Sequence, residues 1–193
     1  MIRHGKTWWN QKKKMQGQVN IPLNDVGRAD AGRLAKALKQ YDFDYCLSSP
    51  YSRAEETARI VLGDRKVPVV KKELLSEQNY GLCEGWYQRA VFNLPCLRLY
   101  YYQHHPERYH PPIGGESMRD MLIRGGRVIT EVLRPAAEEH EMILVGGHGS
   151  IICAILDRIE RLPVRQYWDN MLKNCGYAVI EYKEGKWTVL EKH

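Results

Sequence analysis

Apolar positions along this chain fall into two alternating registers. Residues 43–47 read as a strand, 67–70 as a short apolar strand and 142–145 as a buried one. Between them the apolar residues recur every three or four positions, which reads as helix. Asn24-Asp25 offers a helix N-cap, and Ala31, Leu34, Ala35 and Leu38 follow at helical spacing. Ser49-Pro50 reads as a cap followed by proline at the first helical position. Ala54, Ala58 and Val61 then share one face, and Gly63 stops that helix. Ser117 caps a long predicted helix with Met121, Leu122, Ile129, Val132 and Leu133 inward, which Gly125, Gly126 and Pro135 should bend or fray. Residues 150–159 are apolar almost all round and predict a core helix. Near the end, residues 177–182 and 187–190 flank Lys183-Glu184-Gly185-Lys186 as a hairpin or edge pair.

Strands alternating with helices predict an α/β protein, a three-layer α/β/α sandwich with a mostly parallel sheet. The 193 residues contain no repeat, low-complexity tract or Gly/Ser linker, so residues 1–193 read as one domain. Residues 86–112 are aromatic and predict a helix followed by an irregular Pro-rich loop. They form most of a small cap-like segment at about 86–116 inserted into the sandwich. Ligands of such sheets bind beyond the carboxyl ends of the strands. His4, Ser48-Ser49 and His148 all fall at strand ends of that kind.

The bulk properties narrow the class. Charged residues at 27% and hydrophobic ones at 44% are ordinary for a soluble globular protein. No apolar run approaches the roughly 20 residues that span a bilayer, and no signal-peptide pattern opens the chain. Neither a membrane nor a secretory route is expected. The five cysteines (46, 83, 96, 153, 175) are odd in number and lack CxxC spacing, so free thiols in a reducing cytoplasm are expected. Of the net charge of +6, only Lys12, Lys13 and Lys14 form a dense run. It reads as a solvated loop, or as a positive field that draws in an anion. No basic stripe points to nucleic acid.

The chemistry gathers around two His-Gly pairs. The chain opens Met-Ile-Arg-His-Gly, and the run Gly146-Gly147-His148-Gly149 repeats the pairing after a strand. Arg53 sits in the first turn of its helix. Two imidazoles and two guanidiniums at such junctions form the kind of cluster that binds a phosphate and attacks it. The ordered stretches RHGKTWWN (3–10), QGQVNIPLNDVG (16–27), LSSPYSRAEETA (47–58), LLSEQNYGLCEG (74–85), GGES (114–117) and VGGHGS (145–150) then carry a resemblance. The chain resembles the histidine phosphatase superfamily, the phosphoglycerate mutase-like fold, and among its branches the small broad-specificity phosphatases. In that family an apolar strand of several residues leads into RHG. Here only Met1 and Ile2 precede Arg3, so the first strand is expected to be truncated.

The resemblance implies a role for each matched residue. His4 is the nucleophile, forming a phosphohistidine. Arg3 and Arg53 clamp the phosphate, since guanidinium forks match its oxygens in pairs. His148 contacts the phosphoryl group and stabilises its charge. Glu77 is the general acid and base, with Glu84 as a rival carboxylate in a place that looks structural. Gly5 and Gly149 let the backbone approach the phosphate, while Asn10 and Gln16 donate to it from the pocket loop. Trp8 and Trp9 read as packing, and Glu116 or Ser117 as reaching the pocket or only capping a helix.

Two look-alikes fail. Gly5-Lys6-Thr7 lacks the earlier glycine that a P-loop needs. His104, His105 and His110 have no partner at ligand spacing, and neither a metal nor a cofactor is expected. The expected activity is hydrolysis of a small phosphorylated metabolite. Phosphoglycerate mutase activity is the nearest rival, and a non-catalytic phosphate-binding module stands behind it. The compact segment between the acid motif and the second histidine favours the phosphatase. Selectivity is expected from the tyrosines at 100–102 and Tyr109. The oligomeric state stays open, a homodimer included.

Overall fold

A computed structural model describes residues 1–93 and 98–193. In chain order the regular elements are β1 (Ile2–Arg3), α1 (Trp8–Gln11), α2 (Asp25–Ala37), β2 (Tyr45–Ser48), α3 (Ser52–Leu62) and β3 (Val69–Lys71). Residues 86–116 contribute α4 (Gln88–Phe92) and α5 (Arg98–His104). Then come α6 (Met118–Arg127), α7 (Arg134–Glu139), β4 (Ile143–Gly147), α8 (Gly149–Glu160), β5 (Ala178–Lys183) and β6 (Lys186–Lys192). Strands β1 to β4 form a parallel sheet in the order β1-β4-β2-β3, as the alternation predicts. The expected free thiols are present at Cys46, Cys83, Cys153 and Cys175; Cys96 lies outside the described residues. No described helix is long and apolar enough to cross a membrane.

The period-two rule sorts the sheet's side chains into two cores. Ile2, Cys46 and Leu144 face α2 and α3, packing against Leu34, Leu38, Ala58 and Val61. Leu47 and Val145 point the other way, into a larger cluster with α6 and α8. Gly125 lets α6 and α8 touch, since a Cβ there would lie 2.8 Å from the Ala154 backbone. The glycine that was expected to fray the helix instead permits its closest packing.

Two local expectations change and a third holds. Helix α3 begins at Ser52 rather than at Pro50; the Ser49 hydroxyl accepts from the Tyr51 N–H at 3.3 Å and sits 2.7 Å from His148 Nε2. The cap comes from Asn20, whose Oδ1 accepts from the Ser52 N–H at 2.9 Å and the Ser52 hydroxyl at 2.8 Å. The helix from Met118 runs on through Pro135 by widening to a π-helical stretch over Val128–Leu133. The wider turn absorbs the hydrogen bond that proline cannot donate. The hairpin is β5–β6, turning through Glu184 (φ 51°) and Gly185 (φ 76°), both left-handed as a tight hairpin turn requires.

Strand β1 is indeed short, with only Ile2 and Arg3 paired to β4. Its other edge is not left open. The Met1 N-terminal nitrogen donates to the Ala178 carbonyl at 2.7 Å, the Ala178 N–H returns to the Met1 carbonyl at 2.9 Å, and the Arg3 N–H reaches the Gly176 carbonyl at 2.9 Å. These bonds tie the β5–β6 hairpin to the parallel sheet. Beyond Met1, β4 and β5 stand on either side of an apolar groove of about 370 Å³.

Candidate active site

Strand β1 ends at Arg3, so His4 emerges at the carboxyl edge of the sheet. It is 2% exposed and its Nδ1 lies 2.7 Å from the Gly5 carbonyl. A carbonyl only accepts, so Nδ1 carries the ring proton and Nε2 keeps its lone pair. Burial, and then the charges of Arg53 and Arg3, hold the imidazole well below its usual pKa. A neutral ring with a free Nε2 is the form a nucleophile needs. The segment is clasped from behind: Asn174 Nδ2 donates to the His4 carbonyl at 3.0 Å, and the Cys175 N–H reaches the Arg3 carbonyl at 3.2 Å.

The second His-Gly pair ends β4 and opens α8. The two imidazole centroids are 5.1 Å apart, edge to face. Between His148 and the loop after α1 lies Arg53, fully buried in the first turn of α3. Its Nε donates to His148 Nδ1 at 3.2 Å, Nη1 to the Val19 carbonyl at 2.8 Å and Nη2 to the Gly17 carbonyl at 2.8 Å. Of the five N–H donors of a guanidinium, three are engaged, which leaves two to offer an anion. Burial brings its pKa down to about 10, and it stays charged at neutral pH. Since Arg53 always donates, His148 Nδ1 is the acceptor and Nε2 carries the proton toward Ser49 Oγ. Burial and the neighbouring arginines keep His148 neutral as well.

The position of His148 differs from the simple expectation of a ring touching the phosphoryl group. Both its nitrogens are used within the protein, and the ring lies behind Arg53 and orients it. Gly5 also has another task. Its N–H donates to Thr57 Oγ1 at 2.9 Å, and a Cβ there would lie 2.7 Å from the Gly27 carbonyl oxygen. The glycine serves close packing of the RHG turn on α2. Gly149 does line the cavity, at the amino end of α8, where the helix dipole favours an anion.

Glu77 reaches the same cavity from the loop after β3. Its Oε1 accepts from the Gln78 N–H at 2.9 Å and the Ser150 N–H at 3.0 Å, which aims the other oxygen. The loop is held by Arg124, which pairs with Glu116 at 2.7 Å and donates to the Ser76 carbonyl at 2.6 Å. Glu116 therefore braces the acid loop, and Ser117 caps α6 with Asp120. Glu84 is structural: its Oε1 accepts from the Gln18 N–H at 2.8 Å and the Tyr80 N–H at 3.1 Å. Behind Glu77, the Tyr102 hydroxyl sits 2.6 Å from Ser150 Oγ and 2.7 Å from the Tyr80 hydroxyl, linking the cap to the start of α8.

Arg3, His4, Asn10, Gln16, Arg53 and Glu77 meet around one cavity of about 270 Å³. That is close to the lower end of the range for small-molecule pockets, roughly 300–1,000 Å³. Thr7 fixes both amides, with Asn10 Oδ1 accepting from the Thr7 N–H at 3.1 Å and Gln16 Oε1 from its hydroxyl at 2.8 Å. Each amide keeps its NH₂ as a donor. Arg3 is anchored by its Nη1 on the Leu172 carbonyl at 2.6 Å, while its buried Nε has no partner among the described residues. Of the cap tyrosines, Tyr102 lines the cavity beside Phe92 and Trp168, and Tyr109 packs behind it at 5.0 Å. No three His, Cys, Asp or Glu residues gather as a metal site among the described residues. Arg124, Thr57, Asn174 and Met171 went unsignalled in the sequence, because each acts through a partner far away along the chain.

The cavity of this α/β protein thus gathers hydrogen-bond donors around an imidazole and a carboxylate. Residues 1–193 match the model of the histidine phosphatase superfamily (branch 1), and the chain belongs to that family. It is 29% identical to 2,3-bisphosphoglycerate-dependent phosphoglycerate mutase 2 of Gloeobacter violaceus, covering 95% of this chain and 84% of that protein. It is 28% identical to the uncharacterized phosphatase PhoE of Bacillus subtilis, covering 98% and 90%. Among solved structures, Bacillus stearothermophilus YhfR superposes with a TM-score of 0.86 at 28% identity, covering 97% of this chain and 92% of that one.

Proposed function

We propose that the protein is a metal-independent phosphomonoesterase acting through a phosphohistidine on His4. The observation that carries this reading is the His4 imidazole, neutral, with its proton pinned on Nδ1, on the wall of the cavity it shares with Arg3, Arg53 and Glu77. In the first step the Nε2 lone pair attacks phosphorus in line and the ester P–O bond breaks. The departing alkoxide takes its proton from Glu77. In the second step a water loses a proton to the Glu77 carboxylate, attacks the phosphohistidine and breaks the N–P bond. Arg3, the two spare Arg53 donors, the Asn10 and Gln16 amides and the amino end of α8 hold the equatorial oxygens, where charge is greatest. His148 acts one step removed, by fixing Arg53.

The small cavity supports a small phosphorylated metabolite as substrate, and the family includes relatives named as phosphatases. The test is phosphate release from p-nitrophenyl phosphate measured beside isomerisation of 3-phosphoglycerate. Steady release that His4→Ala abolishes is the expected result. Isomerisation without net release points to a mutase. Phosphate binding without turnover points to a binding module.

A further inference from the structure

Three lysines follow one another at 12–14, and the fold treats the third differently. Lys12 and Lys13 are exposed, whereas Lys14 is half-buried and lines the cavity that holds His4. The turn that brings it in places Lys13 at φ 52°, a left-handed conformation that a residue with a Cβ adopts only at a cost. The Lys14 N–H then donates to the Trp9 carbonyl at 2.8 Å, and Lys14 bridges to Tyr87. Its ammonium stands 5.5 Å from the Trp9 ring centroid and 5.0 Å from that of Tyr87. Aromatic faces hold a cation without neutralising it. Among the described residues the lysines that form ion pairs are Lys6, Lys71 and Lys192, not Lys14.

The cavity wall thus carries three side chains with fixed positive charge, Arg3, Arg53 and Lys14, against one carboxylate, Glu77. A bound phosphate dianion is matched by the two arginines. In the first step Glu77 is the proton donor and so carries no charge, which leaves the ammonium of Lys14 unmatched, with the neutral amides of Gln88 and Gln103 also on the wall. We propose that Lys14 is a specificity-determining residue that reads a carboxylate on the alcohol part of the substrate. A single ammonium balances a carboxylate, whereas a second phosphate dianion would remain half-compensated. The proposal rests on the phosphomonoesterase reading of the same site.

The test compares esters that differ only by a carboxylate in place of a hydroxymethyl group: phosphoglycolate against 2-hydroxyethyl phosphate, and 3-phosphoglycerate against glycerol 3-phosphate. The readout is the ratio of kcat/KM within each pair, which misfolded molecules do not alter. The unsubstituted protein is expected to prefer the carboxylate in at least one pair, by roughly five- to thirtyfold, the range of a half-buried charge-assisted hydrogen bond. Lys14→Gln brings that ratio to about unity. Lys12→Gln, with the same loss of net charge on an exposed side chain, leaves it in place. No preference in the unsubstituted protein, or the same preference in Lys14→Gln, overturns the proposal and leaves the phosphatase reading standing. If no phosphate is released even from p-nitrophenyl phosphate, the phosphatase reading fails first.

Discussion

Replacing Glu77 by glutamine separates its chemical role from its place in the fold. The amide oxygen of the new side chain can still accept the Gln78 and Ser150 N–H bonds that the Glu77 Oε1 accepts at 2.9 and 3.0 Å, so the loop keeps its shape. What is lost is the oxygen that gives and takes a proton. General acid–base catalysis is worth about 10²–10⁴ in rate, and the two half-reactions feel the loss unequally. An alkyl phosphate needs the proton to leave, so its first step slows by that factor and no phosphoenzyme accumulates. Nitrophenolate leaves unaided, so p-nitrophenyl phosphate still phosphorylates His4 rapidly. The second step, which needs a base for water, then becomes limiting. Stopped-flow absorbance should show a burst of nitrophenolate stoichiometric with the enzyme, followed by turnover slowed by about 10²–10³. Equal losses on aryl and alkyl esters with no burst, or no loss on either, would refute Glu77 as the acid and base.

Three further outcomes follow from the packing. Burial pushes the Asp157 carboxyl up to about 7, and its Oδ2 has no partner among the described residues while Oδ1 takes the Asn170 amide at 2.7 Å. Because the folded protein holds that proton more tightly than the unfolded chain, stability is greatest below the ordinary carboxyl range. It falls as pH climbs toward 7, by on the order of 2 kcal/mol after solvent screening. Asp157→Asn should flatten this slope in urea titrations at pH 5 and 8, and an equal slope in both proteins would contradict it. Gly27→Ala would drive a Cβ to within 2.1 Å of the Lys6 carbonyl, so calorimetry should find about 1–3 kcal/mol lost together with lower kcat/KM. Tyr102→Phe removes the hydroxyl that joins Tyr80 and Ser150, costing about 1–3 kcal/mol in urea unfolding, and an unchanged midpoint would count against that link.

The legible parts of the sequence were the local ones. Asn24 capping α2, Gly63 ending α3 and the Glu184-Gly185 turn are governed by neighbouring residues, and each stands where the pattern put it. His4, Arg3, Arg53 and Glu77 line one cavity; the strand end pointed to His4, the helix start to Arg53, and only the family resemblance to Glu77. Ser49 was read as the cap of a helix that in fact opens at Ser52, and its contact with His148, 99 residues away, lies outside any local pattern. Arg124 carried no signal in the sequence, because it braces the Glu77 loop from 47–50 residues away. Pro135 was read as bending or fraying its helix, whereas the helix widens to a π-helical stretch just before it and runs on. Gly5 was read as letting the backbone approach a phosphate, whereas its bare Cα packs on the Gly27 carbonyl, which belongs to a different element.

The most direct measurement is a rapid acid-avoiding quench of the protein with p-nitrophenyl phosphate, followed by proteolysis and mass mapping of the phosphoryl group. The account predicts a transient phosphoryl on the peptide containing His4, attached through nitrogen and therefore lost in acid. A phosphoryl on the His148 peptide, or continued turnover with no phosphopeptide at any quench time, would contradict it.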